Sequence, residues 1–171
     1  MIIPFIQWTV WSSWEQIGER FLGGAGVAAT SRDRKILDLF AVEGDGQMYT
    51  LQWTKEERWS KNPLPREIQG FPTGAQVTAT ARTEQHMDLF VCDSDGNVKT
   101  LGWSSLAGWT DWELIGRQFL TETEIATIVP NENTLEIFAC RPNGQIYNQL
   151  DCKLGFGLEA HPELDIRRRK F

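Results

Sequence analysis

The sequence predicts an all-β protein, and three observations carry that expectation. One block recurs without a gap as 36–50, 86–100 and 134–148, which spaces Phe40, Phe90 and Phe138 by 50 and 48 residues. Each copy holds a tight-turn dipeptide, Asp45-Gly46, Asp95-Gly96 or Asn143-Gly144, residues that take positive φ at little cost. Every candidate helix is interrupted by Gly, Pro or β-branched residues.

The elements follow in order. Leu37–Val42 is a short apolar run of strand formers, of the kind that is buried on both faces. After each turn, Met48–Trp53 and Val98–Trp103 return as the partner strand of a hairpin. Upstream, Val27–Thr30 recurs as Val77–Thr80 and Ile125–Ile128 and supplies a further strand. A tryptophan block, Trp11–Leu22, matches Trp109–Leu120 and is expected to form a fourth; the middle copy keeps Trp59 and diverges through Asn62–Pro65. Four short strands per period of about 49 residues, with Trp and Asp-Gly at fixed places, describe a β-propeller blade.

The expected organisation is a unit 1–152 of three blades, about 8–53, 53–103 and 103–151, followed by an irregular or disordered tail 153–171. The phase is offset at the ends. Ile6-Gln7-Trp8 resembles Leu51-Gln52-Trp53 and Leu101-Gly102-Trp103, so the chain opens near the third strand of a blade. It reaches the equivalent place at Gln149-Leu150-Asp151, where the Trp is lost. A ring needs about four to eight blades, so a homo-oligomer is expected to complete it, six blades from a dimer being the simplest arithmetic. The alternative is a piece of a longer propeller.

Composition narrows the partners. The 171 residues carry a net charge of −6. The last nineteen hold five basic and three acidic residues, which leaves 1–152 at −8. So acidic a body repels phosphate backbones, and no nucleic-acid partner is expected. No apolar run approaches the roughly 18 residues of a membrane span, and Met1–Ile6 lacks the basic flank of a signal peptide. The expectation is a soluble chain with no membrane insertion, cytoplasmic or released without a signal peptide. Three cysteines cannot all pair internally; Cys92 and Cys140 fall at the repeat position of Val42 and read as small core hydrophobes.

The pattern Trp-x-x-Trp-Glu-x-Ile-Gly, followed by Leu-Asp-Leu-Phe-Ala and an Asp-Gly hairpin, resembles the PLL-like family of bacterial, fucose-binding β-propeller lectins. The likeness runs from Trp8 to Asp151. It implies a carbohydrate-binding lectin, multivalent through its repeats, that takes fucose or a related sugar in pockets between blades. Studied members are seven-bladed; this chain departs in blade count, in its second Trp block and in the Trp missing at Asp151. The alternative functions are a protein-interaction scaffold, or a fragment of a larger propeller without its own ligand.

Sugars stack their C–H faces on aromatic rings while polar groups hold the hydroxyls. Trp8, Trp53 and Trp103 follow the hairpin strand and are the candidate stacking residues, with Thr30, Thr80 and Ser104 as hydroxyl partners; packing between blades is the competing role. Trp14 and Trp112 belong to the repeated block and read as structural wedges. Asp38, Asp88 and Glu136 put a carboxylate at one point of an apolar strand three times. A buried charge needs a partner, so each is expected to bond backbone N–H groups or an indole N–H, the alternative being a ring of acids lining a site.

Asp93-Ser-Asp95-Gly96-Asn97 lacks the distal bidentate Glu of a calcium loop, and a hairpin turn explains it. His86 and His161, the only two histidines, complete no catalytic or metal set. Gly23-Gly24-Ala25-Gly26 precedes a strand rather than the helix a phosphate site needs. No enzyme activity, cofactor or metal is expected. The basic end Arg167–Lys170 reads as a solvated tail.

Overall fold

A computed structural model describes residues 12–17, 26–42, 46–63, 75–120 and 123–152. Trp8 and the tail 153–171 lie outside the described residues. Within them the chain forms strands and turns and no helix, in three antiparallel sheets. The first holds β1 (Val27–Asp33), β2 (Ile36–Val42), β3 (Met48–Thr54) and β4 (Arg58–Pro63), side by side in chain order. The second repeats this with β5 (Val77–Thr83), β6 (His86–Cys92) and β7 (Val98–Ser104). Its outer edge is shared by two short pieces, β8 (Gly108–Trp109) and β9 (Glu113–Gly116), both paired with β7. The third holds β10 (Ala126–Asn131), β11 (Thr134–Cys140) and β12 (Ile146–Cys152). The expected fourth strand is thus whole in blade 1, broken in blade 2 and not among the described residues of blade 3.

Register follows the repeat. Phe40 lies opposite Thr50, Phe90 opposite Thr100 and Phe138 opposite Asn148. The hairpin turns need a left-handed residue, and Gly46, Gly96 and Gly144 provide it at φ 77°, 72° and 77°. In the second turn, Asp93 accepts from the backbone N–H groups of Asp95 (3.0 Å) and Asn97 (2.9 Å) and pairs with Lys99 at 2.9 Å. Burial works to raise its pKa, but these hydrogen bonds outweigh it and hold the carboxyl below the ordinary range. A depressed pKa stabilises the fold above the unfolded value, near 3.9, and that contribution is lost as pH falls through the folded value. The melting temperature of the wild type is therefore expected to fall more steeply than that of Asp93→Asn from about pH 4 to about pH 2. Parallel melting curves across that range would contradict this role for Asp93.

Strand alternation decides how the blades stack. Successive side chains point to opposite faces, so Asp38, Phe40 and Val42 share one face of blade 1. That face packs on Val77, Leu89, Val91 and Leu101 of blade 2 to form the first core. Phe90, Cys92 and Val98, on the other face of blade 2, pack on Ile125, Leu135, Ile137 and Ala139 of blade 3 to form the second. The Trp block closes both: Trp109 meets Phe40 edge to face at 6.0 Å, Trp112 packs on the first core, and Ile115 and Phe119 pack on the second. On the outward face of blade 1 Val27 and Leu37 stay exposed while Ala41 and Leu51 are buried, and on that of blade 3 Ile128 and Ile146 are exposed. Cys140, unlike buried Cys92, is for this reason half-buried. Trp14 departs from its expected wedge role. It is fully exposed at 103% while Trp112 is packed, because no sheet lies beneath it among the described residues.

Candidate functional site

The repeated carboxylates organise the space between blades. Asp38 is buried on β2 and held by Arg32 of β1, whose Nε donates at 2.7 Å and Nη2 at 3.0 Å. Gln52 of β3 donates to the same carboxylate at 3.2 Å. In blade 2, Arg82 Nε donates to Asp88 at 2.6 Å and Nη2 at 3.3 Å. The partners are thus arginines, not the expected backbone or indole N–H groups. An anion in a sheet interior is neutralised most completely by a cation on the neighbouring strand, and a guanidinium reaches both carboxylate oxygens. In blade 3 the Arg position is Pro130, and Glu136 instead accepts from Asn148 at 2.6 Å.

The two interfaces between blades are not equivalent. At the first, Arg32 lies 4.5 Å above the ring of Trp103, a cation–π contact that joins blades 1 and 2. At the second, Asp151 holds the place of Trp103, opposite Leu135 where Trp103 is opposite Met87. Arg82 Nη2 reaches across to it at 2.5 Å, so Arg82 joins two carboxylates from adjacent blades. Burial works to lower the Arg82 pKa, but the hydrogen bonds and charges of Asp88 and Asp151 outweigh it and hold it above the ordinary value. The Arg82 side chain is 4% exposed, and its Nη1 is buried without a hydrogen-bond partner.

A cleft of about 310 Å³ opens at this second interface. Arg82, Asp88, Thr100, Thr110, Glu113, Gln149 and Asp151 provide its polar lining, and Phe90, Ile115, Leu135, Ile137 and Leu150 its apolar lining. Gly102 accounts for the space. Its counterpart opposite Asp38 is Gln52, which fills the gap and bonds the carboxylate. A Cβ at Gly102 would meet only ordinary contacts, Thr110 at 3.7 Å and Asp88 Oδ1 at 3.9 Å. Asp88 is correspondingly more open than Asp38, at 17% against 3% side-chain exposure.

The expected site residues fall in different places. Thr30 and Thr80 lie directly opposite Asp38 and Asp88 and share their inter-blade faces. Trp103 is brought to Arg32, with one ring face covered by the guanidinium. Trp53, opposite Leu37, is on the face of blade 1 turned away from blade 2. Ser104 accepts from the Ala107 N–H at 3.0 Å in the turn that follows β7. Arg32, Arg82, Gly102 and Asp151 were missed. Their signal was present: Thr30-Ser-Arg32 and Thr80-Ala-Arg82 repeat a cation at the spacing of the buried acids. Among the described residues no three His, Cys, Asp or Glu are grouped to hold a metal ion.

Three stacked antiparallel blades with this register define a β-propeller, of which the described residues form an arc. The arc is similar to solved structures of that architecture. The BP39L lectin from Burkholderia pseudomallei superposes with a TM-score of 0.67 at 24% identity, over 79% of this chain and 40% of that one. AofleA from Arthrobotrys oligospora, in a form with three arginines changed to alanine, gives 0.66 at 11% identity over 79% and 42%. The SapL1 lectin in complex with alpha methyl fucoside gives 0.62 at 17% identity over 80% and 45%. The chain spans less than half the length of these structures, and at such identities the likeness is one of fold. No protein-family model and no curated protein matches the sequence.

Proposed function

We propose that the chain is a carbohydrate-binding module, a lectin, that takes a monosaccharide in the cleft between blades 2 and 3. The observation that carries this reading is the buried, unpartnered Nη1 of Arg82 in a cleft lined by Asp88, Asp151 and Glu113. A buried donor left unbonded costs about 1–3 kcal/mol, which a ligand acceptor recovers. A sugar hydroxyl accepts from a guanidinium and donates to a carboxylate at once, so neighbouring hydroxyls suit this set better than an anion or a purely apolar ligand. The apolar wall of Leu135 and Ile137 serves the C–H face of the ring or the methyl group of a fucose-like sugar. The volume is at the small end of ligand clefts, which fits one sugar unit. Trp53 offers a stacking surface on the open side of blade 1, outside this cleft.

The test is a calorimetric titration with methyl α-fucoside and a panel of monosaccharides. Saturable binding is expected in the wild type. Gly102→Gln, which installs the side chain that fills the equivalent place in blade 1, is expected to weaken it at least about tenfold with an unchanged melting temperature. A wild type that binds no sugar in the panel sinks the reading, and equal affinity in Gly102→Gln moves the site elsewhere. Retention of a protein partner by a sugar-blind chain would favour the scaffold alternative.

A further inference from the structure

We propose that segment 11–18 of a second copy supplies the outer strand of blade 3, so that copies join blade 3 to blade 1. The proposal makes no use of sugar binding. Its first support is one sequence pattern in two states. Residues 109–116 dock on the outer edge of β7, with Trp109 opposite Trp103 and Glu113 opposite Thr100. Residues 11–18 repeat their Trp, Trp, Glu, Ile and Gly at identical spacing, yet 12–17 form no strand. Trp14 is fully exposed and Ile17 is 38% exposed, whereas Trp112 and Ile115 pack on the two cores.

The second support is a vacancy of the matching kind. Among the described residues β12 pairs only with β11, which leaves its outer N–H and C=O groups as a template for a further strand. Carrying over the β7 register puts Glu15 opposite Asn148.

Chain connection among the described blades then points to a second copy. After the docked block, the chain runs from Gly116 to Ala126 and enters the inner strand of the adjacent blade. The run from Gly18 to Val27 is nearly the same length, so the donor's blade 1 comes to lie beside the acceptor's blade 3. Within one chain this would close three blades into a ring, fewer than the roughly four a propeller needs. Between copies it covers the exposed Val27 and Leu37 with the exposed Ile128 and Ile146 in a head-to-tail interface. It also brings Trp53 of the second copy beside Glu136, a cleft that neither copy forms alone.

Light scattering on the full chain at micromolar concentration is expected to give a discrete mass of at least twice the monomer. Trp14→Ser, at a position exposed in the monomer, is expected to raise the dissociation constant at least about tenfold. A chain carrying Glu15→Cys, mixed with a second carrying Asn148→Cys and oxidised, is expected to give a covalent dimer above the background of each variant alone. A monomer throughout, an oligomer indifferent to Trp14→Ser, or a mixture that cross-links no better than the single variants overturns the proposal. So does an internal disulfide in a monomeric double variant, because the segment then closes on its own chain. The cleft at Arg82 is formed within one chain, so failure here leaves the sugar titration free to succeed, and the reverse.

Discussion

Arg82→Ala is expected to cost about 3–5 kcal/mol of stability. The guanidinium is 4% exposed and holds carboxylates from two blades, Asp88 within its own and Asp151 across the cleft. Removing it strands a largely buried anion on blade 2 and leaves two negative charges facing each other, so the loss exceeds that of any single hydrogen bond. Arg82→Met is the informative companion only when Asp88→Leu accompanies it. Breaking one side of a buried pair is costly, whereas replacing both sides with apolar groups of similar volume is often neutral. Urea denaturation of Arg82→Ala and of the Arg82→Met/Asp88→Leu double variant checks this. Arg82→Ala within about 1 kcal/mol of wild type would mean that water reaches Asp88 freely, and the cleft would then be an open surface rather than a built site.

Phe40→Ala and Phe90→Ala are expected to cost about 3–5 kcal/mol each, and Phe138→Ala distinctly less in the monomer. The three occupy one repeat position. Phe40 is 0% and Phe90 2% exposed, each pressed between two sheets, and Phe40 also meets the edge of Trp109. Phe138 is only half-buried, because it points to the face of blade 3 that no described sheet covers. Truncating it removes less contact and opens no sealed cavity. Thermal melts at low concentration, where copies are apart, resolve the difference. If copies join through that face, the Phe138→Ala penalty grows with protein concentration while the other two stay constant.

The repeat made much of the fold legible. A tripled apolar run, a tripled Asp-Gly or Asn-Gly turn and a doubled Trp block place the hairpins, because a strand pair is specified by local alternation and by its turn. The buried acids were legible as well, since Asp38 and Asp88 break an apolar strand at one point. Their partners were harder to see. Arg32 and Arg82 lie six residues upstream, on the far side of a turn and inside a bulge between Ser31 and Asp33 or Ala81 and Thr83, where neither has a direct partner on the neighbouring strand.

What the sequence by itself determined is therefore the blade: its strands, its register and its turn chemistry, all of which depend on neighbours within about 49 residues. What only the tertiary structure decided is which copies of one motif are alike. Phe40 and Phe138, or Trp112 and Trp14, are equivalent in sequence and differ in burial, because burial depends on whether another sheet lies against that face. The cleft has the same origin. At the second interface Gly102 stands where Gln52 does at the first and Asp151 where Trp103 does, two exchanges from adjacent blades. Neither exchange marks a site along the chain. They become one only when stacking brings β7 and β12 to the two sides of Arg82.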